Sequence, residues 1–333
     1  MKCLIIAEAG VNHNGSLLLA KKLIKAASRA GADYVKFQTF IAADLVTPYA
    51  EKASYQIINT KENTSQLKML QGLELKKEWH KKLIEYSKKC NIVFFSTAFD
   101  IQSLKFLISI GQNIFKIPSG EITNVPLLRL IGRENKKTIL STGMASFAEI
   151  AFSIDVLLKS GLKKKNLIVM QCVTEYPAPL NESNLNCLDS FREKLKVNVG
   201  YSDHTLGIIA PIVAIAKGAI VIEKHITLNK KLKGPDHIAS LDPQEFSDMV
   251  QALRGAEISL GIKNKRPTLS ERKNIPIARK SIVASVDIIK GDIFTEKNIT
   301  TKRPALGICA SKWDFVLGKK AKKNFKKNDF ISL

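Results

Sequence analysis

Cysteine is scarce in this chain: the five in 333 residues (Cys3, Cys90, Cys172, Cys187 and Cys309) are odd in number, scattered, and never spaced Cys-x-x-Cys. That excludes a disulfide framework and a structural zinc site, and it fits a reducing, cytoplasmic setting. No apolar run is long enough to span a bilayer. Met1-Lys2-Cys3 leads straight into a strand-like run rather than a signal peptide, so no membrane role is expected. No Gly-x-Gly-x-x-Gly follows the first apolar run and there is no P-loop, which leaves nucleotide binding without support. Acidic residues are also in deficit, 30 against 52 lysines and arginines, for a formal charge of +22. The lysines are spread along the chain and mixed with acids, and the densest run, Lys319 to Lys327, holds only Phe325 among aromatics. A solvated basic surface, partly drawing anionic substrates into a cleft, fits better than a nucleic-acid binder.

What the chain does have is a repeated pattern. Eight apolar runs recur: Cys3–Ala7, Asp33–Phe37, Ile92–Phe95, Ile114–Ile117, Thr138–Leu140, Leu167–Met170, Val197–Tyr201 and Ala219–Ile222. Most are followed by polar residues and then by a helix-like segment, such as the stretch from Ser16 with its broad apolar stripe. Strand and helix alternating eight times in roughly 250 residues predict an α/β fold, a (β/α)8 TIM barrel. The connection Ile41 to Leu75 is longer than the rest and reads as a substrate lid. Past Gly261 the pattern changes. We assign residues 1–262 to the barrel, 263–276 to a polar linker, and 277–333 to a small β-rich domain with strand-like pieces at Ser281, Ile288 and Ile299.

In such a barrel the C-terminal strand ends build the active site. Those ends carry Glu8, Lys36, Gln38, Ser96, Thr97, Lys116, Ser119, Ser141, Thr142, Thr174, Tyr176, Ser202, His204, Glu223 and His225. Cations and hydroxyls dominate, the chemistry of a bound phosphate and carboxylate. Lys36 and Lys116 in one mouth would repel unless an anion lay between them. Gly120 and Gly143 would let backbone N–H groups approach it. His204 and His225, each with a carboxylate one or two residues before it, suit a divalent metal such as Mn2+ with an open position for substrate. His13 reads as turn chemistry, and Trp79 and Trp313 as packing residues.

The barrel motifs are Ile6-Ala-Glu-Ala-Gly-Val-Asn-His-Asn-Gly-Ser, Val35-Lys-Phe-Gln-Thr, Phe95-Ser-Thr-Ala-Phe, Phe115-Lys-Ile-Pro-Ser-Gly-Glu and Leu140-Ser-Thr-Gly-Met. They continue with Glu175-Tyr-Pro, Tyr201-Ser-Asp-His-Thr, Glu223-Lys-His and Gly234-Pro-Asp-His. In this order and spacing they closely resemble the sialic acid synthases. The tail, with Lys302-Arg-Pro, resembles their C-terminal antifreeze-like (SAF) domain.

The resemblance implies condensation of phosphoenolpyruvate with an N-acylated aminosugar to a nonulosonic acid, with release of phosphate. By motif, His204 and His225 would hold the divalent metal, Mn2+ or else Mg2+ or Co2+. Lys36, Thr97, Lys116, Ser119, Ser141, Thr174, Tyr176 and Ser202 would cradle phosphoenolpyruvate, and Gln38 and Asp236 would contact the sugar. Glu8 would lie near the metal and the reacting carbons. Glu8 or Glu121 would activate water, and Glu223 would support the metal shell. Arg303 would reach the active site of the other subunit in a domain-swapped homodimer. Thr174 stands where N-acetylneuraminate synthases tend to have Asn. The wording Thr174-Glu-Tyr-Pro-Ala-Pro and Gly234-Pro-Asp-His-Ile-Ala-Ser-Leu is more similar to the legionaminate branch, which implies a diacetamido-trideoxyhexose acceptor. An N-acetylneuraminate synthase using N-acetylmannosamine stays open, as does a Schiff-base pyruvate aldolase working through Lys36 or Lys116.

Overall fold

The computed structural model describes residues 2–60 and 64–333. The chain divides into two compact units, Met1–Gly261 and Ile262–Leu333. The first contains eight parallel strands, β1 Leu4–Gly10, β2 Tyr34–Thr39, β3 Val93–Ala98, β4 Ile114–Ile117, β5 Lys137–Ser141, β6 Leu167–Cys172, β7 Asn198–Asp203 and β8 Val221–His225. Each covers one of the eight apolar runs. The hydrogen-bonded order is β3-β2-β1-β8-β7-β6-β5-β4, so the first strand pairs with the last and the sheet curls into a barrel. The strands are apolar on both faces because both are buried. Ile6, Phe95, Ile114, Ile139, Ile168, Met170 and Val221 fill the interior. A larger cluster packs the outer faces against the helices. The helix Leu17–Arg29 shows why: it is capped by Ser16 and turns Ala20, Leu23, Ile24 and Ala27 onto the barrel.

β3 and β4 are neighbours without a ladder between them. Their seam is bridged by one side chain. The amide of Gln112 accepts from Ser96 N–H and donates to the Ser96 and Ile114 carbonyls, each at 2.9 Å. A glutamine amide has a donor and an acceptor edge, so it can stand in for a missing strand partner.

The long connection after β2 forms helices Ala42–Leu45, Ser54–Thr60 and Gln66–Gln71, and residues 61–63 of it lie outside the described residues. In the second unit, β9 Ser281–Ala284 and β10 Ile299–Lys302 pair antiparallel over a core of Ile282, Ile288, Phe294, Ile299, Val316 and Phe325. The strand expected at Ile288 is only a single bridge to Phe325, because the chain turns at Gly291, whose φ is 100°. The polar stretch expected to be a linker carries helical turns at Leu269–Arg272, capped by Thr268, and Ile275–Ala278. Phe325 is 2% exposed, so the aromatic of the lysine run serves the core and offers no stacking face to a base.

Replacing Gln112 by leucine strands two backbone groups of Ser96 and one of Ile114. The expected cost is about 2–3 kcal/mol of stability, read from urea unfolding at neutral pH; an unchanged midpoint would mean the seam closes without the amide.

Candidate active site

Strand alternation and register bring the polar side chains together. Glu8 on β1 lies opposite Lys36 on β2 and His225 on β8, and Ser202 on β7 lies opposite Glu223. The chain can make this approach because Gly10, with φ +48°, ends β1. A Cβ there would press on Glu8 Oε1 at 3.3 Å, with Gln38 and His225 just behind. A cavity of about 380 Å3 opens above the strand ends. Of the sixteen residues expected at the site, fourteen line it: Glu8, Lys36, Gln38, Lys116, Ser119, Glu121, Ser141, Thr174, Tyr176, Ser202, His204, Glu223, His225 and Asp236.

The floor is a buried charge cluster. Lys36 Nζ is 2.8 Å from Glu8 Oε2 and 3.9 Å from Glu223 Oε2, while Lys116 Nζ is 2.7 Å from Glu223 Oε1. Thr97 Oγ1 accepts from Lys36 at 3.0 Å, Ser202 Oγ donates to Glu223 at 3.2 Å, and Gln38 Nε2 donates to Glu8 at 3.3 Å. The anion expected between the two lysines is therefore supplied by the protein itself. Glu223 bridges them. Burial alone would push its carboxyl up, but Lys116 and Lys36 hold it down at about 2. Burial likewise works against the Lys36 ammonium, and Glu223 and Glu8 outweigh it and raise its pKa. Glu8 is the more easily protonated carboxylate, raised by burial against the pull of Lys36.

Beside this cluster stand the two histidines, their ring centroids 5.4 Å apart. His204 Nδ1 donates to the Val173 carbonyl at 2.6 Å, so in the neutral ring Nε2 carries the lone pair; against burial, Cys172 and that carbonyl raise the imidazole pKa. His225 Nδ1 is buried without a hydrogen-bond partner, and Asp236 Oδ2 is 3.8 Å away. Burial first, and then the charges of His204 and Lys36, hold the His225 pKa well below its ordinary value. The ring is neutral and able to ligate. Burial and the nearby Glu8 raise Asp236 to about 7. Among the described residues no three His, Cys, Asp or Glu side chains are arranged to enclose an ion. The pair fits a metal as two imidazole ligands with Asp236 alongside, the other positions being left to solvent and substrate. The Tyr176 ring covers His204 at 4.0 Å, and Tyr55 from the long connection stacks on Tyr176 at 5.0 Å.

Ser141 Oγ, Thr174 Oγ1 and His225 Nδ1 are all buried, all unpartnered and all on this cavity. Unsatisfied groups are rare in folded proteins, and a convergent set marks where a ligand completes the bonding. Gly143 is fixed here by space, since a Cβ would lie 2.1 Å from Thr174 Oγ1. Its N–H, expected to meet an anion, instead donates to Ser119 Oγ at 3.0 Å. Thr97 is fully buried beneath Lys36 and does not reach the cavity surface. Arg303 is exposed on the second unit.

Tyr55 falls in the connection expected to act as a lid, whereas sequence reasoning did not find Cys172 or the apolar wall of the cavity. That wall is made by Val11, Phe40, Met69 and Leu73 with Leu45, Leu70 and Phe99 against them. Most of it comes from the long connection, whose unusual length was the available signal.

A (β/α)8 barrel whose mouth holds a buried ion cluster, a histidine pair and orphaned hydroxyls is an enzyme of the anion-binding kind. The chain belongs to the NeuB family, whose model matches residues 23–265, and residues 279–333 match the SAF domain. This is the family its motifs resemble. The N,N'-diacetyllegionaminic acid synthase of Campylobacter jejuni is 53% identical over 99% of both chains. That of Legionella pneumophila is 44% identical over 97% of this chain and 92% of its own. A crystal structure of N-acetylneuraminic acid synthetase from Leptospira borgpetersenii, in complex with citrate, superposes with a TM-score of 0.72. It is 34% identical and covers 83% of this chain and 90% of its own.

Replacing Glu223 by alanine removes the charge between the lysines, and an expected loss of about 3–5 kcal/mol follows. Because folding depresses this pKa from 4.5 to about 2, the contribution is complete above pH 4.5 and disappears as pH falls toward 2. Thermal melts at neutral pH should also show phosphate stabilising the alanine variant more than the parent. Equal shifts would mean that the lysines do not need Glu223 as their counter-charge.

Proposed function

We propose that this protein condenses phosphoenolpyruvate with a diacetamido-trideoxyhexose, forming N,N'-diacetyllegionaminate and releasing phosphate. The observation that carries the reading is the cavity itself: two buried ammonium groups and unpartnered hydroxyls at its floor, two imidazoles beside them, and an apolar wall opposite. Lys36 and Lys116 with Ser119, Ser141, Thr174 and Ser202 suit the phosphate and carboxylate of phosphoenolpyruvate. Holding both reactants in one cavity converts a bimolecular encounter into a positioned one. His204 and His225 would hold a divalent cation, Mn2+ in preference to Mg2+ or Co2+. Such an ion supplies Lewis-acid polarisation of the sugar aldehyde when bound.

The C2=C3 π pair of phosphoenolpyruvate forms the new bond from C3 to the aldehyde carbon, whose C=O π pair moves to oxygen and takes up a proton. Water then adds to the C2 cation and gives one proton to a carboxylate; the C2 hydroxyl loses its second proton as the C2–O bond to phosphate breaks, leaving a ketone and phosphate. Glu8 and Glu121 are the candidate bases, since burial raises the pKa of each toward the range in which proton transfer is efficient. The Tyr176 phenol keeps its proton, because burial raises its pKa well above 10, and serves as a donor. Gln38 and Asp236 are assigned to the sugar. Thr97 acts through Lys36, and Glu223 through both lysines. The Schiff-base alternative fares worse: such a lysine needs a depressed pKa, and that of Lys36 is raised.

The apolar wall favours an acceptor with a deoxy carbon and acetyl methyls over N-acetylmannosamine, whose extra hydroxyl would lose water there without a partner. The names of the relatives point the same way. Exposed apolar side chains on successive loops beyond β5 to β8, among them Met144 (73% exposed), Leu180, Leu206 and Ile209 (61%), support a homodimer that covers the barrel mouth. Arg303 is then the residue offered to the partner's site. Five unpaired thiols support a cytoplasmic location, and among the described residues no helix is long and apolar enough to cross a membrane.

Phosphate release from phosphoenolpyruvate should require the acceptor, with kcat/KM about 10-fold or more higher for the diacetamido-trideoxyhexose than for N-acetylmannosamine. A reversed preference would overturn the acceptor. Chelation by EDTA and the variant His225→Ala should each reduce turnover at least 100-fold with the fold intact by circular dichroism, and full activity in metal-free buffer would dispose of the metal role. Arg303→Ala and His225→Ala, each inactive alone, should recover activity when mixed and allowed to exchange subunits. No recovery would place Arg303 outside the partner's site.

A further inference from the structure

β7 and β8 end in the same alternation. Ser202 and His204 line the cavity, as do Glu223 and His225. The residues between them, Asp203 and Lys224, point to the opposite face, as alternate residues of a strand must. These two are register partners and both side chains are 0% exposed. Lys224 Nζ donates to Asp203 Oδ2 at 2.5 Å and to the Thr205 carbonyl. Asp203 Oδ1 accepts from the Tyr201 hydroxyl and from Thr205 N–H, each at 2.9 Å. His204 is therefore bracketed by two residues that the ion pair holds, and His225 directly follows a third.

A fully buried ion pair is a poor way to gain stability. Desolvation offsets most of the attraction, and apolar replacements of similar shape are often neutral or better. Here the pair is the back of the seam whose front carries both imidazoles. We propose that Asp203 and Lys224 are positioning residues that fix the separation and orientation of His204 and His225 for a divalent cation. This rests on the reading of the histidines as a metal pair. Groups behind metal ligands that set their orientation are worth 10- to 100-fold in affinity.

The test is the double variant Asp203→Leu/Lys224→Met in the full chain, which avoids leaving one charge buried alone. Mn2+ binding is measured directly, by the electron paramagnetic resonance signal of the free ion, beside the melting temperature and the KM for phosphoenolpyruvate. We expect a folded protein with Mn2+ affinity weakened about 10- to 100-fold and a KM for phosphoenolpyruvate within about twofold of the parent. Unchanged Mn2+ affinity in the folded variant overturns the positioning role while the metal reading stands. Equal losses for Mn2+ and phosphoenolpyruvate overturn it too, since they mark general loosening. A parent protein that binds no Mn2+ sinks both. Should the apolar pair fail to fold, Asp203→Asn/Lys224→Gln is judged by the same outcomes.

Discussion

Everything at the mouth of this barrel depends on keeping two ammonium groups charged where water is scarce. Lys36 and Lys116 can be buried only because Glu8 and Glu223 meet them within 2.8 Å. The four charges sum to zero, so no net charge is left buried beneath the cavity. In the proposed reaction an anion competes with the protein's own carboxylates for the lysines, which favours ligands that bring more than one negative group. Phosphoenolpyruvate, with a phosphate and a carboxylate, answers that description.

The barrel supplies this arrangement cheaply in sequence terms. Parallel strands in register put Glu8 beside both Lys36 and His225, so β1, like β8 with Glu223 and His225, links the ion cluster to the histidine pair. Alternation divides the work between faces. Inward residues at the strand ends line the cavity, and outward ones such as Asp203 and Lys224 are buried in protein. The long connection then adds what the strands cannot: an apolar wall and the Tyr55 ring over Tyr176.

Much of this was legible in the sequence because the barrel repeats a simple rule. Apolar runs marked all eight strands, and the residue after most of those runs marked the mouth, Ser96 and Gln171 being the exceptions. What pairing would do there was not legible. Nothing in the order of residues says that Glu223, two before His225, turns to two lysines on other strands. Nor could it say that Ser119 takes up the Gly143 N–H, a contact between loops 24 residues apart. The apolar wall was hidden for another reason. Leu45, Met69 and Leu70 sit on helices of one or two turns, too brief for periodicity to declare a face, and Val11, Phe40, Leu73 and Phe99 lie in turns and loops. In the second unit a turn at Gly291 cut short a strand that β-branched composition had suggested.

A ring joined by ladders around most of its circumference is clasped by Gln112 at one seam. Between β3 and β4, three bonds to a single amide stand in for a strand partner. Lys36, tied to β3 through Thr97, and Lys116 on β4 lie on opposite banks of that seam. Glu223, on ladder-bound β8, reaches both, so one carboxylate draws the two cations together across the gap that the ladders leave.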